Sequence, residues 1–431
     1  TSRRCTIREC DVMNLSTTQL SKVPAWVRWP VFAAFGILVL TLVQELGQNE
    51  TSRLTATSTS QAMLRWCVPI LLAGLGGLFS ERAGVINIGL EGMMILGMWF
   101  GAWGAFNYGP YWGLLIGAIG GAIGGLLHAI ATVGFGVDHI ISGVAINILA
   151  PFAARFLSSE IFTQYQGGSI TQSPRVESAG ELTLPFLAGG WGTPNLFKAM
   201  RNTDIPWLSD IGSVLLGLTT RISWATLIAL ALVPISTWIL WKTRFGLRVR
   251  ISGEDPWAGE SQGINIYWYK YVAVTIGGGL AGLGGAFITT ELSGIYQEGG
   301  SSGRGFIGLA ALIFGNWRPS GILAGSLIFG YPFGLGLRDL DGFASHALLL
   351  VNAIALTGVA IWAIRNKKTS DGVIAFTLAT GSAFWYFYSD TVPDWWVNIL
   401  PYVIVIVVLI FFAQRLRMPT ANGQIYRRGQ T

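Results

Sequence analysis

A chain of 431 residues that is 52% hydrophobic and only 12% charged is too apolar for an ordinary soluble domain, where charged residues make up about 25%. Its mean hydropathy of +0.53 and its 57 glycines point to a polytopic membrane protein whose helices pack through small residues. The formal charge of +6 implies no nucleic-acid partner, because the Lys and Arg lie mostly in short loops; Cys5, Cys10 and Cys67 form neither a metal-ligand pattern nor a disulfide framework.

Residues 1–29 are polar and basic and lack a cleavable signal pattern. They read as a cytoplasmic tail before a transmembrane domain over 30–414. Apolar runs of roughly 17–25 residues mark candidate crossings. The first is 30–46, anchored by Arg28 and Trp29, and a polar outer loop follows over 47–61. The second and third, 62–80 and 84–106, are separated only by Glu81-Arg82-Ala83, which predicts a tight inner turn with Glu81 and Arg82 at the interface. The fourth, 111–134, is rich in Gly, and Asp138 opens the fifth, 139–157.

Residues 158–221 carry Pro185 and mixed charges, which predicts a folded extracytoplasmic loop with short surface helices. The sixth crossing, 222–241, leads into a polar inner loop, 242–268, and the seventh covers 270–290. After EGGSSGRG (298–305), the run 305–316 is too short for a perpendicular span and predicts a half-helix ended inside by Trp317-Arg318-Pro319. The ninth and tenth, 320–334 and 346–364, precede Arg365, Lys367 and Lys368. An eleventh, 372–389, and a twelfth, 395–413, lead to a basic cytoplasmic tail, 415–431.

The fold class is therefore all-α and polytopic, with about twelve crossings and both termini inside. That count puts the basic clusters at 242–250, 365–368 and 415–428 on the cytoplasmic side, as the positive-inside rule requires. LAGLGG occurs at 72–77 and again at 280–285. Each copy opens a four-helix group, 62–157 and 269–364, and the two run in opposite directions. Inverted repeats of this kind place a substrate path at their interface near the midplane.

Four stretches combine polar groups with apolar surroundings. GLGGLFSERAGVINIGLEGMMILG (74–97) places Asn87 and Glu91 four apart, on one face if the stretch is helical. A carboxylate inside a bilayer costs roughly 3 kcal/mol, so Glu91 must face a partner, a path or a broken helix. In the fifth run, Ser142 and Asn147 are candidate ligands for a polar solute or bonds between helices. Gly303-Arg304-Gly305-Phe306 enters the half-helix, where Arg304 reads either as a group for an anion or a ribose oxygen or as an outer anchor. His128 and His346 read as packed. The fourth stretch is GEDPWAGESQGI (253–264). Pro256 suits a first helical turn, Asp255 its N-cap and Gly263 its end, giving a short amphipathic surface helix. No Walker A motif occurs, so the chain does not itself bind ATP through a P-loop, and there is no Cys-x-x-Cys or metal-ligand cluster; no cofactor is expected in this chain.

GLFSERAGVINIGLEGMM, VDHIISGVAINILA, TRFGLRVRISGEDPWAGESQGINIY and GRGFIGLAALIFGNWRPSG resemble the permeases of bacterial ABC importers for nucleosides and simple sugars, in the branched-chain amino acid/ribose-type superfamily. The blocks recur in order from about 62 to 330, and LPYVIVIVVLIFFAQRLRMPTANGQIY resembles the family's C-terminal end. The resemblance implies a transport subunit, not an enzyme. Its partners would be ABC ATPase subunits that use the ATP, a second homologous permease and an extracytoplasmic substrate-binding lipoprotein. It makes 253–264 the helix that docks in the ATPase, through Glu254, Asp255, Pro256, Ala258 and Gly263. It places Asn87, Glu91, Ser142, Asn147, Arg304 and Phe306 along the translocation path in the bacterial cell membrane. Three features depart from the family, whose members often have about ten helices: an extra hairpin within 346–390, a long outer loop over 158–221, and Asp255 where Asn is common, a change that keeps the cap. An ion-coupled secondary carrier is the alternative, with Glu91 or Asp138 as the coupling site; a non-transporting scaffold is a third reading.

Overall fold

The computed structural model describes residues 54–336, 343–365, 369–389 and 417–428, with a few isolated positions near 36–41 and 392–403. The tail 1–29 and most of the expected crossings at 30–46 and 395–413 lie outside the described residues. Helix α1 (Thr57–Arg82) is followed by a non-helical stretch over 83–89, then α2 (Leu90–Tyr108), α3 (Pro110–Ala129) with a π-turn at Ile130–Gly134, and α4 (His139–Ile161). Pro110 starts α3 where no backbone donor is needed, and the Asp138 carboxylate caps α4 by accepting from the Ile140 and Ile141 amides.

The segment 162–223 is a folded loop, as its composition predicts. It holds β1 (Glu181–Leu182), α5 (Leu196–Arg201), α6 (Pro206–Thr219) and β2 (Ile222–Ser223). The two strands pair antiparallel. Then come α7 (Trp224–Lys242), α8 (Arg244–Glu254), α9 (Pro256–Ser261) and α10 (Ile266–Phe287), which continues as a π-turn to Ser293. The last described helices are α11 (Arg304–Phe314), α12 (Pro319–Gly336), α13 (Phe343–Arg365) and α14 (Thr369–Tyr388). Six helical stretches among the described residues are long and apolar enough to cross a membrane, opening at Thr57, Pro110, His139, Trp224, Ile266 and His346.

Two ends of the bundle can be told apart. At one, the loop 162–223 is tied to the starts of α1 and α3: Gln61 Nε2 donates to Thr220 Oγ1 at 2.9 Å and Tyr111 Oη donates to the Ala179 carbonyl at 2.9 Å. At the other, residues 81–84, 253–260 and 316–317 meet the segment 417–428. Helices α1 and α10 run between these ends in opposite senses. They carry the two LAGLGG copies and cross at Gly76 and Gly277, where a Cβ on either would collide with the other's carbonyl. Small residues here allow close backbone approach. Hydrophobic side chains of α1, α11 and α12 fill the space beside the crossing, among them Ile70, Leu71, Leu75, Ile307, Ala311 and Phe329.

The extra hairpin is present as α13 and α14, which pack mainly on each other. Asn352 Nδ2 donates to Ser382 Oγ at 3.0 Å and the rings of His346 and Tyr386 stack.

The run 84–106 differs from expectation. Its helix begins at Leu90 rather than 84, so Asn87 lies in an irregular stretch and shares no helix face with Glu91. Gly84 has φ of +81°, a conformation that ends α1 and is open to glycine at little cost. The backbone groups of Ile86 and Ile88 then bond to side chains instead of to a continuing helix.

Candidate translocation core and coupling face

The bundle contains two interrupted segments, 83–89 after α1 and 294–303 after α10. Each is followed by a helix that starts inside the protein. A chain leaving helical geometry away from water must find partners for its amides and carbonyls. The two interruptions find them differently.

The first is held by side chains of α3 and α4. Asn147 Oδ1 accepts from the Gly92 amide at 2.8 Å, and Asn147 Nδ2 donates to the Ile88 carbonyl at 3.0 Å. His128 Nε2 lies 3.1 Å from the Ile86 carbonyl, which only accepts, so this nitrogen carries the proton. His128 Nδ1 then accepts from the Ser142 hydroxyl at 2.9 Å. The Ile86 amide donates to His139 Nδ1 at 3.3 Å. Asn87 is fully buried; its Nδ2 donates to Ser80 Oγ at 3.3 Å, while its Oδ1 has no partner.

The second is held by Glu91. Its Oε1 accepts from the Gly303 amide at 2.9 Å and its Oε2 from the Gly305 amide at 2.7 Å. Helix α11 has no side-chain cap of its own, so this carboxylate from α2 satisfies two exposed amides at its positive end. A Cβ on Gly305 would lie 2.6 Å from Glu91 Cα, so only glycine lets the carboxylate close on the turn.

Arg304 is neither an outer anchor nor open to a solute here. It is 6% exposed. Its Nη1 donates to the Gly300 and Ser301 carbonyls, and its guanidinium lies 4.4 Å from the Trp66 ring centre and 5.3 Å from that of Phe333. Phe306 is 46% exposed, on the surface of the bundle. Among the candidate path residues, the structure gathers Asn87, Ser142 and Asn147 at the first interruption and Glu91 and Arg304 at the second, leaving Phe306 apart.

At the far end, Asp255 Oδ1 accepts from the Ala258 amide at 3.0 Å, Pro256 occupies the first turn of α9, and Gly263 turns the chain at φ of +75°. Glu254 closes α8 rather than belonging to the short helix. The end of α8, which leads into this segment, lies on the first interruption: Ser252 Oγ donates to the Val249 carbonyl at 2.7 Å and lies 3.5 Å from that of Ala83, and Gly253 is packed against Arg82 and Gly84.

Glu81, at the inner turn, is buried among protein groups. It is 6% exposed and accepts from Trp317 Nε1 at 2.7 Å and Asn422 Nδ2 at 3.1 Å. Its neighbour Arg82 donates to the Trp317 carbonyl at 2.8 Å, lies 3.7 Å from Glu254 and covers the Trp241 ring. Trp317, Asn422 and Tyr426 escaped sequence reasoning. They stand in short polar or mixed stretches whose partners lie far away in the chain.

The family model for the branched-chain amino acid transport system permease component matches residues 60–341. The chain is 32% identical to the nucleoside ABC transporter permease protein NupC of Lactococcus lactis over 84% of this chain and 95% of that protein. It is 33% identical to the guanosine ABC transporter permease protein NupQ of Bacillus subtilis over 69% and 90% respectively. A putative glucose ABC transporter permease protein of Haloferax volcanii, TsgC13, is 32% identical over 66% and 78%. No solved structure matches the chain. With its interrupted helices, its apolar spans and this match over most of its length, the chain is a multi-pass membrane transport component, not an enzyme, and belongs to the branched-chain amino acid transport system permease family.

Proposed function

We infer that this chain is the transmembrane subunit of an ATP-driven importer in the bacterial cell membrane and that it passes a nucleoside, or a related simple sugar, delivered by a binding protein. The observation that carries the reading is the placement of α9: a short capped helix stands on the surface and is joined through Asp255 to the end of α8, whose Gly253 packs on the interruption beside the buried polar core. A partner that displaces α9 therefore acts on that interruption through the end of α8, one residue away. ATPase subunits are that partner, and a second related permease completes the path.

The nucleoside assignment rests on the names of NupC and NupQ. Lys242, Arg244, Arg248, Arg250, Arg417, Arg427 and Arg428 lie at the α9 end, which makes that end cytoplasmic under the positive-inside rule. With the runs at 30–46 and 395–413 added, about twelve crossings return the chain to the same side. The interruptions at 83–89 and 294–303 line the path; Asn87, buried here with an unpartnered carbonyl oxygen, meets a solute when the path opens, and Glu91, Ser142, Asn147 and Arg304 hold the walls. The relatives named above give no support to an ion-coupled carrier, and both acids that would serve one, Glu91 and Asp138, are spent on capping helices.

The test is purification of the tagged chain from its own membranes in mild detergent, with mass analysis of what accompanies it and uptake of labelled nucleosides in competition with sugars. An ATPase, a second permease and ATP-dependent nucleoside uptake are expected. A chain that purifies alone and works on an ion gradient would overturn the reading.

A further inference from the structure

Helix α9 has six residues, of which only Pro256 and Gly259 are buried. So short a helix does not hold itself in place, because nucleation costs more than its few internal bonds return. Its position must come from outside, and residues 417–428 supply it. On the N-terminal side, the Ala421 amide donates to the Gly253 carbonyl at 2.9 Å, and Thr420 donates from its amide and hydroxyl to Glu254 Oε2 at 3.2 and 3.0 Å. On the C-terminal side, Tyr426 Oη donates to Glu260 Oε2 at 2.6 Å and Arg428 Nε to Glu260 Oε1 at 3.1 Å.

The Tyr426 ring, 7% exposed, lies against Trp257 and Tyr267 at centroid distances of 6.0 and 5.3 Å. The same segment reaches the end of α1. The Gly423 amide donates to the Gly84 carbonyl at 3.2 Å and Asn422 Nδ2 to buried Glu81 at 3.1 Å. Its start is fixed to the turn after α11, where the Arg417 amide donates to Asn316 Oδ1 at 2.7 Å.

We propose that residues 417–428 are a strap that fixes α9 to the first interruption, with Tyr426 and Asn422 as its positioning residues, so that movement of α9 reaches the membrane core instead of being absorbed in the loops around it. Both faces of the strap are used: one grips the end of α8 through Glu254 and α9 through Glu260, the other grips the end of α1 through Glu81 and the interruption through Gly84. The proposal rests on the reading of α9 as the docking helix. It adds that docking alone does not drive transport: the strap makes the docked helix and the interruption one mechanical unit.

The experiment uses the whole transporter with its ATPases and compares the native chain with Tyr426→Ala, Tyr426→Phe and Glu260→Gln. Three quantities are read: amide exchange over 253–263, the amount of ATPase that co-purifies, and solute taken up per ATP hydrolysed. For Tyr426→Ala we expect exchange in α9 about tenfold faster, ATPase retained, and uptake per ATP lowered about tenfold, the loss of one strong hydrogen bond to a charged acceptor being of that order. Tyr426→Phe, which keeps the ring, lies between it and the native chain. Should Tyr426→Ala fail to accumulate, Glu260→Gln removes the charged acceptor from the surface side and carries the same expectation. Native exchange in α9 together with native uptake per ATP in these variants overturns the strap. Absence of any ATPase from the native preparation overturns the docking reading instead, and the exchange measurement then still decides whether the strap holds α9.

Discussion

The two interruptions use the same device with opposite economies. After α1, the chain over 83–89 is held by several side chains at once, Asn147, His128 and His139, each taking one or two backbone groups. After α10, the start of α11 depends on a single carboxylate that takes two. Because that carboxylate is Glu91, in the first turn of α2, the second interruption is locked by the helix that the first releases. Any shift of α2 therefore changes the cap on α11. Each interruption is followed by a helix that starts inside the core, the full-length α2 and the short α11, and asymmetry in their locks makes one dependent on the other.

Substitutions test this difference, starting at the single lock. Glu91→Ala leaves the Gly303 and Gly305 amides buried without a partner and should destabilise the protein by about 4 kcal/mol, read as the midpoint of thermal unfolding in detergent. Glu91→Gln keeps one good acceptor, so folded yield should stay near native while solute uptake falls about tenfold. Parallel loss of yield and uptake would reduce the lock to static scaffolding. Gly305→Ala approaches from the other side: the added methyl meets the Glu91 backbone and should cost about 3 kcal/mol. Little change in unfolding would show that the turn is looser than its contacts imply.

At the shared lock, Asn147→Ala removes one acceptor and one donor, but His128 and His139 remain. About 2 kcal/mol is expected, less than for Glu91→Ala. Equal losses at Asn147 and Glu91 would erase the asymmetry.

Much of this architecture is legible in the chain. The apolar runs gave most described helices to within a few residues, and the brevity of 305–316 announced α11 as a half-helix. Asp255, Pro256 and Gly263 announced α9 through local capping rules that need no tertiary contact. The first interruption was not legible: 84–106 is apolar enough to read as one helix, and its backbone is claimed by side chains of α3 and α4 and by Gly423, all brought in by packing. Glu91 was flagged for the right physical reason, the cost of a buried carboxylate, yet its partners lie more than 200 residues away. The same holds for Glu81, whose burial depends on Trp317 and Asn422. Such pairings leave no periodic trace.

The smallest effect is expected far from both interruptions, in the loop 162–223. Glu181 on β1 pairs with Arg65 of α1 and, at 2.8 Å, with Arg221. Partial burial by itself pushes its carboxyl up, but the two guanidinium groups outweigh this and hold it below its ordinary value. A carboxyl depressed in the folded state stabilises the fold at neutral pH, and that contribution fades as the pH falls below the ordinary carboxylate range. Exposed pairs of this kind contribute at most about 1 kcal/mol, and salt screens them. Glu181→Gln should therefore lower the unfolding midpoint slightly at pH 7 and low salt, and not at all in strongly acidic buffer or about 1 M salt. A loss as large as that of Asn147→Ala would mean that the outer loop, and not the buried locks alone, holds α1 in place.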